Sequence, residues 1–323
     1  MSEHQAIELV VERTRTDVIG GAADTAKEVV QGLAEMVSDS QAQSAKALAL
    51  EVEAAVVDIM RVMPSLAPPI NALHRVLGSM EDALAEQPTA AELKEALLQA
   101  TEDFLSWAES ALEKVAQYGS QKIEDGDVVF TYSMSSTVWR IFRRAKSQGK
   151  NFSVVVTESR PASEGLWTVD EMLKEDIPVS VSIDACIGEL VPKSDSVFVG
   201  VDAVSAHGYS LCKVGTYPTA LIAKEHGIPF YAAADTLKFD PTTLIGLPWK
   251  VEEIHRHEVL EGEYPDSVKV IGSLFDETPP ALVTAIITEV GILNPTACVT
   301  VMWQMKLSEK LNEMLLPWSK GEL

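Results

Sequence analysis

The stretch 127–133, DVVFTYS, decides the fold: Val128, Val129 and Phe130 follow one another without polar alternation and run into Thr131, Tyr132 and Ser133. Four more runs repeat the form, FSVVVTES at 152–159, IPVSVSID at 177–184, SVFVGVD at 196–202 and IPFYAAAD at 228–235. Continuous β-branched runs of about five residues, spaced by segments of helical length, predict parallel strands buried on both faces. In such sheets ligands collect beyond the carboxyl ends of the strands. Ser133, Glu158, Asp184, Asp202 and Asp235 stand at those ends and are the first candidates for a site.

Upstream the period changes. Apolar residues recur at helical spacing in TAKEVVQGLAEMV (25–37), SAKALALEVEAAVVDIMRVM (44–63), INALHRVLGSMEDAL (70–84) and AAELKEALLQATEDFLSWAESALEKVA (90–116). Breaks are expected at Gly20-Gly21, at Pro64 with Pro68-Pro69, and at Gln87-Pro88, where Thr89 can cap the next helix. The tail from Asn294 to Leu323 has a helical pattern, and its Trp303 and Trp318 are expected to pack. The predicted organisation is α/β: a helical domain over residues 1–120, then a doubly wound, Rossmann-like parallel-sheet domain over 121–323.

With 323 residues, 46% of them hydrophobic, the chain can bury its cores without staples. Cys186, Cys212 and Cys298 are too few and too scattered for a disulfide framework, which fits a reducing cytoplasm. The start, MSEHQAIELVVER, lacks a basic flank leading into an apolar run, and no stretch approaches the roughly 20 apolar residues of a spanning helix. A soluble, cytoplasmic protein with no membrane role is expected. The net charge of −22 repels polyphosphate backbones, so direct nucleic-acid binding is disfavoured. An anionic ligand must then be held by a few local cations and helix N-termini. Much of the acid is read as a solubilising surface or the mark of a saline cytoplasm. No cofactor is expected. His255 and His257 in EIHRHE lack the further ligands of a metal site. A Ser133–His207–Asp202 hydrolase triad lacks the G-x-S-x-G elbow around its serine.

Five segments, TYSMSS from Thr131, TESRP from Thr157, GVDAVSAHGYSLCKVGT from Gly200, AADTLKF from Ala233 and FDETPPALVTAIITEVGIL from Phe275, carry a resemblance. In order and spacing they resemble the signature stretches of one superfamily. It joins ribose-1,5-bisphosphate isomerase and methylthioribose-1-phosphate isomerase to the alpha, beta and delta subunits of initiation factor 2B. The turn Gly20-Gly21-Ala22-Ala23 resembles the amino-terminal phosphate loop of the isomerases. Covering nearly the whole chain, the resemblance implies a homodimer or higher homo-oligomer formed mainly through the Rossmann-like domain. It further implies a phosphorylated small molecule as ligand and leaves room for a protein partner.

Such isomerases open a cyclic sugar 1-phosphate with an acid and shift a proton with a base. By resemblance Asp202 matches the family's Asp, while Ser133 stands where the isomerases carry Cys. A thiol can be tuned to a thiolate, whereas a serine hydroxyl stays protonated unless a base adjoins it; the neighbours Tyr132 and Met134 supply none. Losing such a group costs about 10² to 10⁴ in rate.

The resemblance also implies a ligand set of Gly20, Gly21, Ala22, Ala23, Met63, Ser135, Ser136, Glu158, Arg160, Cys212, Lys213 and Lys238. By the same resemblance Gly20 and Met63 stand where the isomerases carry Arg, and Arg13, Arg15 and Arg61 lie near enough in sequence to compensate. Cys212 replaces the Asn of an Asn-Lys pair whose Lys is Lys213. It is read either as a small packed residue or as a transplanted nucleophile. Glu158 and Arg160 either contact the ligand or pair with each other. Two lysines hold one phosphate but lack the bidentate fork that arginines offer a second. The function expected is an initiation-factor-2B-like protein that binds a phosphorylated metabolite, sugar phosphate or nucleotide, without ordinary isomerase activity. The alternative is an aldose-ketose isomerase of altered site acting on a ribose-1,5-bisphosphate-like sugar 1-phosphate, with Asp202 as acid and Cys212 or a water as base.

Overall fold

The computed structural model describes residues 5–15, 21–62, 67–260 and 262–319, the side chains of Arg15 and of 316–319 excepted. The backbone falls into two units, residues 1–110 with 304–323, and residues 111–303. No helix among the described residues is long and apolar enough to cross a membrane.

The first unit contains α1 (Gln5–Arg15), α2 (Ala22–Asp39), α3 (Ala45–Val62), α4 (Ala67–Ala85) and the first part of α5 (Ala90–Ser120). Val29, Val30, Leu33, Met36 and Val37 of α2, Leu48, Val52, Val56 and Ile59 of α3, and Leu73, Leu77 and Met80 of α4 are buried, at the spacing of one helical face. α5 begins as its sequence suggests. Thr89 accepts from the backbone N–H of Glu92 (3.3 Å) and Glu92 accepts from that of Thr89 (2.7 Å), a reciprocal capping box. The break expected at Pro64 with Pro68-Pro69 falls between α3 and α4, and Pro68 and Pro69 lie in the first turn of α4, where a missing N–H leaves no bond unmade.

Residues 304–319 return to these helices. Glu81 of α4 accepts from the Ser308 hydroxyl at 2.7 Å and from the Lys310 N–H at 2.9 Å, just where the closing helix Glu309–Ser319 starts. The Ser308 N–H is received by Nδ1 of His74 at 3.1 Å, so the imidazole's proton sits on Nε2, which has no hydrogen-bond partner among the described residues. Burial pushes the His74 pKa down to about 4, against a smaller upward pull from Glu81. The unfolded chain therefore binds the proton more readily between about pH 6.5 and 4, and stability falls as pH falls through that window. The expected loss is on the order of 3 kcal/mol. Urea denaturation at stepped pH checks it, with His74→Asn expected to flatten the slope.

In the second unit the chain runs β1 (Val128–Tyr132), α6 (Ser136–Ser147), β2 (Ser153–Thr157), α7 (Gly165–Lys174), β3 (Val179–Ser182), α8 (Ile187–Leu190) and β4 (Ser196–Gly200). It continues through β5 (Ala203–Val204), β6 (Ser210–Lys213), α9 (Thr216–Glu225), β7 (Phe230–Ala233), α10 (Arg256–Val259), β8 (Phe275–Thr278), β9 (Ala285–Thr288), β10 (Gly291–Leu293) and α11 (Cys298–Met302). Seven strands form one sheet in the order β10-β9-β7-β4-β1-β2-β3, all parallel except β10. Five of them are the five runs read from the sequence. Phe142 of α6 lies 6.0 Å from both Phe152 and Phe198 across this sheet, in a core shared with Val129, Ile141 and Val154. Each such ring contributes roughly 1.5–3 kcal/mol by burial.

From β1 the chain winds outward through β2 to β3, then returns to β4 on the other side of β1 and continues through β7 to β9. The switch point of this doubly wound order lies between β1 and β4, and it opens a crevice at their carboxyl ends. Ser133 follows β1 and Asp202 follows β4. A second, antiparallel sheet, β5-β6-β8, carries Cys212 and Lys213. Trp303, expected to pack, is instead 76% exposed, since it follows the end of α11. Trp318 lies outside the described side chains.

Candidate functional site

The loop after β1 is fixed from three directions. Ser133, in left-handed backbone at φ 63°, donates its N–H to the Ser159 hydroxyl (2.7 Å), and its carbonyl accepts from the Thr168 hydroxyl (2.9 Å). Its own hydroxyl donates to Oε2 of Glu164 in a short contact. The missing base of the local sequence is thus supplied by tertiary structure, from a residue 31 positions away. Oε1 of the same carboxylate pairs with the Lys213 ammonium at 2.8 Å, both side chains being about 15% exposed, at 15% for Lys213 and 16% for Glu164. Glu164 is the one functional candidate that the sequence reading missed. Ser159 and Ser163, at φ 60° and 57°, share the left-handed conformation, so three non-glycine residues carry backbone strain around this carboxylate.

Asp202 enters from β4, its N–H held by the Leu211 carbonyl at 2.8 Å. Burial raises its pKa; Lys238 and then Lys213 pull it down, and Glu164 pushes it up. The carboxyl is therefore inclined to keep a proton, the state of an acid. Lys238 is buried in the short turn after β7 that Asp235 caps by accepting from the Leu237 N–H (3.0 Å). Its ammonium is coupled to Asp202, yet among the described residues it makes no hydrogen bond and no ion pair within 4 Å.

Cys212 is 1% exposed, and burial, Asp202 and Asp276 raise its thiol well above the ordinary range. Lys238 pulls the other way, less strongly, so the surroundings favour the reading of Cys212 as a small packed residue over that of a nucleophile. Asp276 of β8 sits at the start of α9, accepting from the N–H groups of Gly215 (2.7 Å) and Tyr217 (3.0 Å). Burial outweighs those bonds and lifts it to about 6. Gly215 is required here: its φ is +105°, and a Cβ would lie 2.2 Å from the Tyr132 hydroxyl.

The other predicted residues divide. Ser135 accepts from the Val138 N–H (3.3 Å) as the cap of α6, and exposed Ser136 is its first residue. Asp184 receives the N–H groups of Ser159 and Arg160, each at 2.8 Å, and so holds the loop after β2. Glu158 and Arg160 do not pair with each other among the described residues; Arg160 donates to the Glu258 carbonyl at 3.1 Å, because the loop turns its guanidinium toward α10. Gly21, Ala22 and Ala23 begin α2 in the first unit, with the Gly21 carbonyl accepting from Asp24 and Thr25. Gly20 and Met63 lie outside the described residues, as does the side chain of Arg15. Arg13 and Arg61 pair within the first unit with Glu28 (2.7 Å) and Asp58 (3.0 Å). The Ser133 hydroxyl is engaged by Glu164, not by an imidazole, and His207 is exposed. His255 and His257 stack at 5.7 Å beside Glu252, at the start of α10.

The site thus brings together Ser133, Glu164, Lys213, Asp202, Lys238 and Cys212 at the switch point. Known proteins share this scaffold. Ribose 1,5-bisphosphate isomerase of Pyrococcus furiosus is 30% identical over 309 residues, covering 93% of this chain and 95% of that protein. A putative translation initiation factor eIF-2B subunit 2-like protein of Pyrococcus horikoshii is 40% identical over 193 residues, 60% of this chain and 67% of that one. The crystal structure of translation initiation factor eIF-2B from Pyrococcus horikoshii OT3 matches with a TM-score of 0.75 at 30% identity, covering 91% of this chain and 99% of that one. The model of the initiation factor 2 subunit family matches residues 18–295. With the order of its segments, its doubly wound sheet and that match in agreement, the chain belongs to the initiation factor 2 subunit family.

Proposed function

We propose that the chain binds a phosphorylated metabolite, a sugar phosphate or a nucleotide, in the crevice between β1 and β4, without ordinary aldose-ketose isomerase activity. The observation that carries this reading is Lys238, a residue only 9% exposed whose ammonium is coupled to Asp202 yet makes no hydrogen bond and no ion pair within 4 Å among the described residues. The ammonium is not among the fully buried polar atoms, so it is open to a ligand, and an ammonium without a hydrogen bond is a ready partner for a phosphate oxygen. The cap of α6 supports the same reading, because a helix N-terminus at a switch point favours a phosphate. Against turnover stands the state of the groups that would move a proton. Glu164 is matched by Lys213, and Cys212 is held as a thiol. Self-association belongs to the same proposal; the exposed Leu166 and Trp167 of α7 and Val181 of β3 at the sheet edge support it.

A second reading has its own observation. The hydrogen bond from Ser133 to Glu164 sets a carboxylate beside the position of the isomerases' acid-base group, so Glu164 acting through Ser133 is a candidate base with Asp202 as acid. NMR of the protein with ribose 5-phosphate, ribose 1,5-bisphosphate and adenosine monophosphate separates the two. The first reading expects saturable line broadening or shift for at least one compound and no new sugar resonances. Steady conversion of either sugar phosphate that Asp202→Asn slows by about 10² or more overturns it in favour of the second. Failure of all three to bind removes both.

A further inference from the structure

Lys213 and Lys238 are unequal. Lys213 is already matched: Glu164 sits 2.8 Å from it, and its ammonium also lies 5.1 Å from the centre of the Phe275 ring. Glu164 is in turn fixed on its far oxygen by the Ser133 hydroxyl, and Ser133 is itself anchored by Ser159 and Thr168. A phosphate arriving at Lys213 meets an ionisable oxygen-rich group that holds the cation and has no slack to retreat. Carboxylate and phosphate repel, and the partly buried setting screens that repulsion less than water does. At Lys238 the only carboxyl in play, Asp202, makes no ion pair within 4 Å among the described residues, whereas Glu164 sits 2.8 Å from Lys213.

We propose that Glu164 is a specificity-determining residue which makes this a site for a polyhydroxylated monophosphate and turns away a bisphosphate. This rests on the reading of the crevice as a phosphorylated-metabolite site and deepens it. The single phosphate takes Lys238. The carboxyl groups of Glu164 and Asp202 meet the sugar hydroxyls, Glu164 as an acceptor held in place by Lys213 and Asp202 as a group able to donate as well as accept when protonated. A second phosphate has to enter the corner where Glu164 already occupies the cation.

The test is calorimetric titration of the full chain with ribose 5-phosphate and with ribose 1,5-bisphosphate. Wild type is expected to bind the monophosphate at least as tightly as the bisphosphate. Glu164→Gln keeps the size and one acceptor but removes the charge; it is expected to shift the ratio of the two affinities about 30-fold toward the bisphosphate. Glu164→Asp keeps the charge and is expected to keep the preference, which separates charge from damage to the loop. A wild-type preference of tenfold or more for the bisphosphate overturns the proposal. So does a monophosphate-to-bisphosphate ratio that Glu164→Gln leaves unchanged while both still bind. If neither compound binds wild type, the reading of the crevice itself falls and this inference with it.

Discussion

Gly165→Ala is expected to lower stability by about 3 kcal/mol or more, and to abolish ligand binding at temperatures where the variant still folds. A Cβ at this position would lie 1.8 Å from the carbonyl oxygen of Thr157, 2.9 Å from its carbonyl carbon and 3.1 Å from that of Glu158. These are backbone atoms at the end of a strand hydrogen-bonded on both sides, so they cannot swing away as a side-chain tip would. The first turn of α7 has to move instead. Glu164 immediately precedes it, and its contacts to Ser133 and Lys213 move with it. Gly188→Ala is the control, since a Cβ there meets nothing within 4 Å. Urea unfolding of the two variants decides the matter: a Gly165→Ala protein within about 1 kcal/mol of wild type would show that the loop yields at little cost.

The second large effect is Lys238→Met, expected to weaken binding of ribose 5-phosphate about 100-fold, or roughly 3 kcal/mol. Methionine keeps an unbranched apolar stem in a buried position and removes the ammonium with its charge and donors. Two consequences add. The phosphate loses its one ammonium with no other hydrogen bond among the described residues, and Asp202 loses its largest downward pull and becomes a still weaker acid. The second of these limits damage to the fold, because a carboxyl left without its cation can take a proton rather than stay buried as a bare charge. Lys238→Arg is expected to recover part of the affinity. A loss of less than about 3-fold on Lys238→Met would count against the crevice as the phosphate site.

The parallel strands were legible because burial on both faces leaves an unbroken apolar run in the chain, and their carboxyl ends located Ser133, Asp202 and Asp235 directly. The antiparallel sheet was not. Ala203–Val204 is two residues long, and SLCK at 210–213 is short and mixed, so neither shows a period. Glu164 was hidden for a different reason. Nothing in ASEGLW marks it, and its partners Ser133 and Lys213 reach it only after β1, β2 and β6 are in place. The proline pair at 68–69 shows the limit of punctuation by residue type, since a helix start and a helix break call on the same residue. The tryptophan in the tail shows that size does not ensure burial.

The pairing of β6 with β8 sets an order of assembly. Lys213 lies opposite Phe275, and Cys212 opposite Asp276, across a long separation in the chain. While the protein is being made, the segment up to β7 can already close the inner strands of the large sheet and bring Asp202 toward Lys238. β6 then has only the two-residue β5 as a neighbour. Contacts between distant segments form late because the intervening loop must first be closed. A ribosome-bound chain stalled before residue 275 therefore carries the acid and one cation of its crevice, and gains a fixed second cation only as the last strands emerge.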